Sequence, residues 1–266
     1  MDRRALLLLV LCGFFTGFFV ASEIIGAKLF HFTLLGLGPA SFGLSGTQFV
    51  ATTGILAFPL TFLLTDIINE YFGRRTVRVL TFIAIAVNLT LVPVVQAAIA
   101  VPAHDFATGE INQAMQNAYS QAMGQSWAIV VASVCAFAIG QYLDVAIFTV
   151  LRRMTGGRML WLRSQGSTLV SQLIDTFVVL GLAFWLIPLL VSGTMFHMTL
   201  SEVGTVSLTN YLYKAAIAVA MTPLLYLLHG SVERWLGHEE AARAVAEAHA
   251  DPKTEDTAPT PIISAG

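Results

Sequence analysis

Long apolar runs separated by short polar segments dominate the chain. They extend over approximately residues 5–28, 48–70, 76–100, 126–151, 167–191 and 208–230. Each supplies the ~20 residues that a helix needs to cross ~30 Å of hydrocarbon. None alternates apolar with polar positions over the ~10 residues of a barrel strand. The pattern predicts an all-α polytopic membrane protein with six transmembrane helices. Composition points the same way: 56% of the residues are hydrophobic and 11% charged, with a mean hydropathy of +0.75, which excludes an ordinary soluble domain.

Charge then orients the chain. Twelve of the fourteen basic residues (Arg3, Arg4, Arg74, Arg75, Arg78, Arg152, Arg153, Arg158, Arg163, Arg234, Arg243 and Lys253) fall in the N-terminus, the 2–3 loop, the 4–5 loop or the tail. The loops at about 29–47, 101–125 and 192–207 contain no Lys or Arg. The positive-inside rule therefore predicts that both termini are cytoplasmic. Net charge is −2, and the basic clusters are those that orientation requires, so no nucleic-acid surface is expected. Cys12 and Cys135 fall inside helices and predict no disulfide. The first apolar run, although it follows Arg3 and Arg4, is long for a signal peptide and reads as a retained span.

Residues 1–236 read as one transmembrane domain. The segment 33–47 is Gly-rich, apolar and uncharged, and is expected to fold against the bundle or the membrane interface. Residues 103–125, with Asn112, Gln113, Gln116, Asn117 and Gln121 at near-helical spacing, predict a short surface helix. Residues 237–266 are expected to be a cytoplasmic tail: 238–249 can prolong a helix, and 251–266 have the composition of a disordered segment.

Against this apolar background the ionisable groups stand out, because a charge at bilayer depth is costly and points to function. Asp66, Asn69 and Glu70 share one helical face. Gln141-x-x-Asp144 and Gln172-x-x-Asp175 repeat one i,i+3 pattern on the fourth and fifth helices. Asp66, Asp144 and Asp175 lie at similar depths, ~12–18 Å from the inner basic edge at ~1.5 Å per residue. Three acids in one layer repel unless protonated, paired or watered, which suits a proton-linked or solute-lined cavity. The other reading is that each Asp bonds backbone or amide groups and locks helix packing. Glu70, one turn nearer the cytoplasm, has two readings as well: a transport role, or a helix-end ion pair with Arg74 or Arg75.

Glu23 and Lys28, with Asn210 and Lys214, form a second polar group nearer the outer side. Lys28, at a helix end, can snorkel outward. Lys214, one turn beyond Asn210 inside an apolar helix, needs an acidic partner, and depth nominates Glu23. Catalytic patterns fail. Gly43-Leu44-Ser45-Gly46 matches a rhomboid-protease string but lacks a positioned His. Intramembrane aspartyl proteases pair Tyr-Asp with Gly-x-Gly-Asp, and Tyr142-Leu143-Asp144 and Leu173-Ile174-Asp175 supply neither. No Cys/His spacing suits a metal, and no phosphate-binding Gly-Lys loop occurs, so neither a metal nor another cofactor is predicted and the chain does not read as an enzyme.

Four blocks carry a resemblance: Phe58-Pro-Leu-Thr-Phe-Leu-Leu-Thr-Asp-Ile-Ile-Asn-Glu-Tyr-Phe-Gly73, Gln141-Tyr-Leu-Asp-Val145 with Phe148, Leu160-Trp-Leu-Arg163, and Ser167-Thr-Leu-Val-Ser-Gln-Leu-Ile-Asp-Thr176. Tyr211-x-x-Lys214 with Pro223 adds a fifth. In these, over about residues 15–230, the chain resembles the queuosine precursor transporters, a group of vitamin uptake transporter-like membrane proteins. The resemblance implies an inner-membrane importer of deazaguanine bases such as 7-cyano-7-deazaguanine, for tRNA modification. It also implies a fold similar to the substrate-binding subunits of energy-coupling-factor transporters. The alternative is such a subunit itself, working with a separate ATPase module. A homo-oligomer is compatible with either. Glu23 departs from the family pattern, in which Asn is usual. A guanine-like edge sets two N–H donors beside a carbonyl acceptor. The substrate-binding set that suits it is Asp66, Asn69, Gln141, Asp144, Gln172, Asp175, Asn210 and Lys214, with Glu23 and Glu70 in coupling or gating. Tyr142, Tyr211 and Phe62 are candidate stacking partners.

Overall fold

The computed structural model describes residues 2–33, 36, 38–42, 48–154, 160–191 and 197–249; of residues 141–154, 160–169 and 249 it describes the backbone alone. The Ser45 string and the tail segment 250–266 lie outside the described residues. Helices dominate. In chain order they are α1 (Arg3–Ile25), α2 (Phe58–Ala100), α3 (Gln113–Met123), α4 (Ser126–Met154), α5 (Leu160–Gly181), α6 (Ile187–Leu190), α7 (Leu200–Ala220), α8 (Thr222–Leu236) and α9 (His238–His249). Large apolar side chains such as Leu9, Phe14, Phe82, Val94, Leu190 and Val219 cover the outside. A surface of that kind is at home in lipid. Among the described residues four segments are long and apolar enough to cross a membrane, or five when α7 and α8, which meet at 50°, count as one broken span. The chain is therefore an all-α polytopic membrane protein, apart from one small hairpin.

That hairpin is formed by β1 (Leu29–Phe32) and β2 (Phe49–Thr52), which pair antiparallel with Leu29 opposite Thr52. The apolar run beginning at 48 thus starts as strand and a 3₁₀ turn (Thr53–Ala57), and helix begins only at Phe58, with Pro59 in the first turn. The β-branched Val50, Thr52 and Thr53 and the following Gly54 favour strand and turn over helix. Phe32 stacks on both Phe30 and Phe49. The Thr53 hydroxyl donates to the carbonyls of Ile25 and Lys28, tying the hairpin to the end of α1. Gly54 allows the close approach, since a Cβ there would lie 2.6 Å from the Ser22 carbonyl oxygen. α7 packs on β2.

The helical stretch of α2 is interrupted at Gly73, whose φ of 81° and ψ of 165° are not helical. Two arms, 58–72 and 74–100, result. Residues Ile67, Ile68 and Tyr71 of the first arm and Leu80 and Ala84 of the second pack with Leu11 and Phe15 of α1 and with Leu236, Ala241 and Ala244 of α8 and α9. Residues 238–249 do form a helix, but Gly237 at φ 93° separates it from α8. Arg4 ties the N-terminus to this corner, pairing with Glu247 and donating to the Tyr71 carbonyl.

A second cluster joins Ile129 and Ala132 of α4 to Leu180, Ala183 and Phe184 and to Met198, Val203 and Val206 at the start of α7. Between α5 and α6 one turn, Leu182–Leu186, is π-helical. Its carbonyls are taken up from outside: Gln125 Nε2 donates to Ala183 and the Met198 amide to Phe184. α7 begins eight residues before the predicted sixth span, because Thr199 and Glu202 form a capping box.

Candidate functional site

Polar side chains from α1, α4, α5 and α7, together with the β2 edge and the first residue of α2, converge within this scaffold. Lys214 of α7 is held at three points. Its ammonium lies 3.7 Å from Asp175 Oδ2 of α5, donates to Thr176 Oγ1 at 3.2 Å, and sits 5.6 Å from the centre of the Phe58 ring. The ring face attracts the cation. Thr176 passes its own proton to the Gln172 carbonyl at 2.8 Å, which leaves its oxygen lone pairs for the ammonium.

The pairing of Lys214 differs from the expected one. Depth pointed to Glu23, but depth fixes only position along the helix axis, and Asp175 occupies the facing side of α5. Glu23 is buried at 8% exposure on α1 and accepts a hydrogen bond from Ser133 of α4 at 2.9 Å. It lies in the electrostatic field of Asp175 and Lys214 without touching either. Asp175 therefore belongs with Lys214 and Glu23 in one group.

One turn before Lys214, Asn210 is buried at 3% exposure. Its Nδ2 donates to the Val206 carbonyl at 2.8 Å, and its Oδ1 accepts from the Thr52 hydroxyl of β2 at 3.2 Å. The amide thus joins the hairpin to the helix that carries Lys214. Next to it Ser207 is fully buried with its hydroxyl unpartnered.

Asp66, Asn69 and Glu70 lie together on the first arm of α2. All three are half-buried, Asp66 feels the charge of Glu70, and Asn69 Oδ1 is buried without a hydrogen-bond partner. A buried unpaired amide oxygen is an acceptor left open to a donor. Gln141 and Asp144 are on α4 by backbone, and their side chains lie outside the described residues. Gln172 is half-buried beside Asp175. Tyr142 is likewise described by backbone alone, and Phe62 stacks on Phe58 at 5.8 Å.

Sequence reasoning placed Phe58 and Thr176 at the ends of family blocks without giving them a role, and did not single out Ser133 or Thr52. Thr176 could have been found from its place beside Asp175, four residues after Gln172, and Phe58 from its spacing of four before Phe62. Ser133 and Thr52 carry no local signal, because their roles arise from helix and hairpin contacts distant in sequence.

The site offers a carboxylate beside an ammonium, amides on two helices and aromatic rings at the edge. Groups of that kind suit the recognition of a polar, planar solute. Similarity to known proteins matches that character. The family model described as "Putative vitamin uptake transporter" matches residues 52–228, a stretch that includes Thr52, Asp66, Asp175, Asn210 and Lys214. A "Probable queuosine precursor transporter" of Bacillus subtilis (strain 168) is 31% identical over 177 residues, 66% of this chain and 70% of the relative. The "Queuosine precursor transporter" of Escherichia coli (strain K12) is 31% identical over 140 residues, covering 53% and 58% of the two chains. A "Probable queuosine precursor transporter" of Haemophilus influenzae (strain ATCC 51907 / DSM 11121 / KW20 / Rd) is 27% identical over 138 residues, covering 52% and 54%. No solved structure matches the chain. The chain belongs to this vitamin uptake transporter family, which includes the queuosine precursor transporters, and is a membrane transporter rather than an enzyme.

Proposed function

We propose that this transporter imports queuosine precursor bases, 7-cyano-7-deazaguanine among them, across the cell inner membrane to supply tRNA modification. The observation that carries the reading is its likeness to the Bacillus subtilis relative over 70% of that protein's length. The site's chemistry suits such a base. A carboxylate such as Asp175 accepts the paired N–H groups of a guanine-like edge, and an ammonium such as Lys214 donates to the neighbouring carbonyl. Asn210 and Gln172 flank that pair. Asp66 and Asn69 of α2 and Gln141 and Asp144 of α4 complete the binding set, the open oxygen of Asn69 being ready for a donor. Phe58 and Phe62 give the ring a face to stack on. Glu23 and Glu70 border this set as coupling or gating groups.

The chain crosses the membrane six times in this reading, with both termini cytoplasmic. The two arms of α2 count as separate spans, because 48 continuous residues would reach ~72 Å, over twice the hydrocarbon thickness. Arg74 and Arg75 at the break, and the basic residues of the termini, then share the inner face. The residues past Gly237 lie on that face too.

Queuosine in the tRNA of cells that cannot make the precursors, supplied with external 7-cyano-7-deazaguanine, tests the proposal. With this chain expressed, queuosine is restored, and restoration survives removal of any energy-coupling ATPase module from the host. No restoration at normal membrane levels would refute import of this base. Restoration that vanishes with the ATPase module would assign the chain to the binding-subunit class.

A further inference from the structure

Among the described residues the group around Lys214 holds two acids, Asp175 and Glu23, and one cation. Lys214 contacts Asp175 at 3.7 Å, which makes a neutral pair, and the second acid, Glu23, is the more deeply buried of the two. Among the described residues Glu23 has no cation within ion-pair distance; its contact is the Ser133 hydroxyl at 2.9 Å. A single neutral hydroxyl does not offset the desolvation of a buried carboxylate. Among the described residues the charged groups whose fields reach Glu23 are Asp175 from α5 and Lys214 from α7. From α4 it meets the uncharged Ser133. The acids of α2, Asp66 and Glu70, act on one another along their own helix, and the 3₁₀ turn Thr53–Ala57, which packs on α1, has no ionisable side chain. The arrangement shown here therefore suits a Glu23 that carries a proton.

We propose that Glu23 is the proton-binding residue of the transport cycle, taking up one proton from the outer side and releasing it to the cytoplasm with each base imported. This rests on the import reading above. The coupling follows from the shared lysine. A base whose N–H groups occupy Asp175 holds Lys214 on the α5 side and leaves Glu23 without a counter-charge, so base and proton are carried together. An emptied site frees Lys214 to turn toward Glu23, whose carboxylic acid then loses its proton to the cytoplasm. Proton and base thereby strengthen each other's binding, as linkage requires. The base is neutral, so each cycle carries one positive charge inward.

The full chain reconstituted in liposomes tests this with labelled 7-cyano-7-deazaguanine. An exterior one pH unit more acid than the interior drives accumulation up to about tenfold above equilibrium, and a protonophore abolishes it. Glu23→Gln mimics the protonated acid and still accepts from Ser133; it retains counterflow exchange, at a reduced rate, and loses gradient-driven accumulation. Glu23→Asp restores part of it. A separate readout needs no base: infrared difference spectra of the purified chain between acid and alkaline pH show a protonated-carboxyl band that vanishes in Glu23→Gln and shifts in Ser133→Ala. Wild-type accumulation indifferent to the pH gradient, Glu23→Gln accumulating like wild type, or an unchanged band in Glu23→Gln would each overturn the proposal. Absence of counterflow in the wild type would overturn the import reading and the symport with it, and is told apart because the infrared band does not depend on the base.

Discussion

Lys214 of α7 pairs with Asp175 of α5 across 3.7 Å, and its ammonium also takes the Thr176 hydroxyl next door. One side chain thus links two helices that pack together, through a charge pair whose members are 20% and 32% exposed. Asp175→Asn leaves the ammonium with two neutral partners. Uptake is expected to fall by at least about tenfold, the kinetic equivalent of ~1.4 kcal/mol, while membrane levels stay near normal because Thr176 and Phe58 still hold Lys214. Uptake assays normalised to protein in the membrane check this. Equal loss of protein and uptake would show that the pair locks packing and has no direct transport role.

The bond between Thr52 and Asn210 holds the hairpin to the same helix. Thr52→Val removes the donor and keeps the shape, and is expected to cost about 0.5–1.5 kcal/mol. Asn210→Leu costs more, since the Val206 carbonyl and the Thr52 hydroxyl both lose a partner. Thermal midpoints of the two single variants and the double variant should show coupling, with the double less destabilised than the sum of the singles. Additive losses would mean that the contact contributes nothing of its own.

How much of this was legible beforehand differs from residue to residue. The membrane-length apolar runs that overlap α1, α4 and α7 announce themselves in composition, and Lys214 announces itself by being a cation where none is expected. The choice of Asp175 as its partner does not, because residue spacing gives depth along a helix but not the rotation that faces one helix toward another. Ser133 beside Glu23 is hidden for the same reason. The hairpin was missed differently. Phe49, Val50 and Ala51 extend the apolar run toward Phe58 without a break in hydropathy, and only the β-branched and glycine content of 50–54 marks the change to strand and turn. Helical content at 238–249 was visible, whereas its docking on α2 depends on a single glycine far away in the chain.

The capping box at the start of α7 sets where the helix bearing Asn210 and Lys214 begins. The Thr199 amide donates to Glu202 Oε2 at 2.7 Å, and the Glu202 amide donates back to Thr199 Oγ1 at 3.3 Å. Thr199→Ala is expected to destabilise by about 0.5–2 kcal/mol. Glu202→Gln keeps the reciprocal pattern and should cost less. Thermal midpoints in detergent check the order; a neutral Thr199→Ala would mean that the tertiary contacts of Met198 and Val203 alone define the helix start.

Gly73 and α9 form one unit. The conformation at Gly73, φ 81° with ψ 165°, is essentially restricted to glycine and costs an L residue about 1–3 kcal/mol, and a Cβ there would also lie 2.8 Å from the Ala248 carbonyl oxygen. Gly73→Ala therefore carries two penalties, one local and one from α9. Truncation after Leu236 removes the second and also uncovers the surface on which Ala241 and Ala244 are buried, at a cost on the order of 2 kcal/mol. The decisive comparison is Gly73→Ala in the full chain and in the chain ending at Leu236. The substitution should be less destabilising in the shorter chain, by the share of its cost that comes from Ala248. An identical cost in both would show that α9 yields at the contact and that backbone conformation alone demands glycine at the break between the two arms of α2.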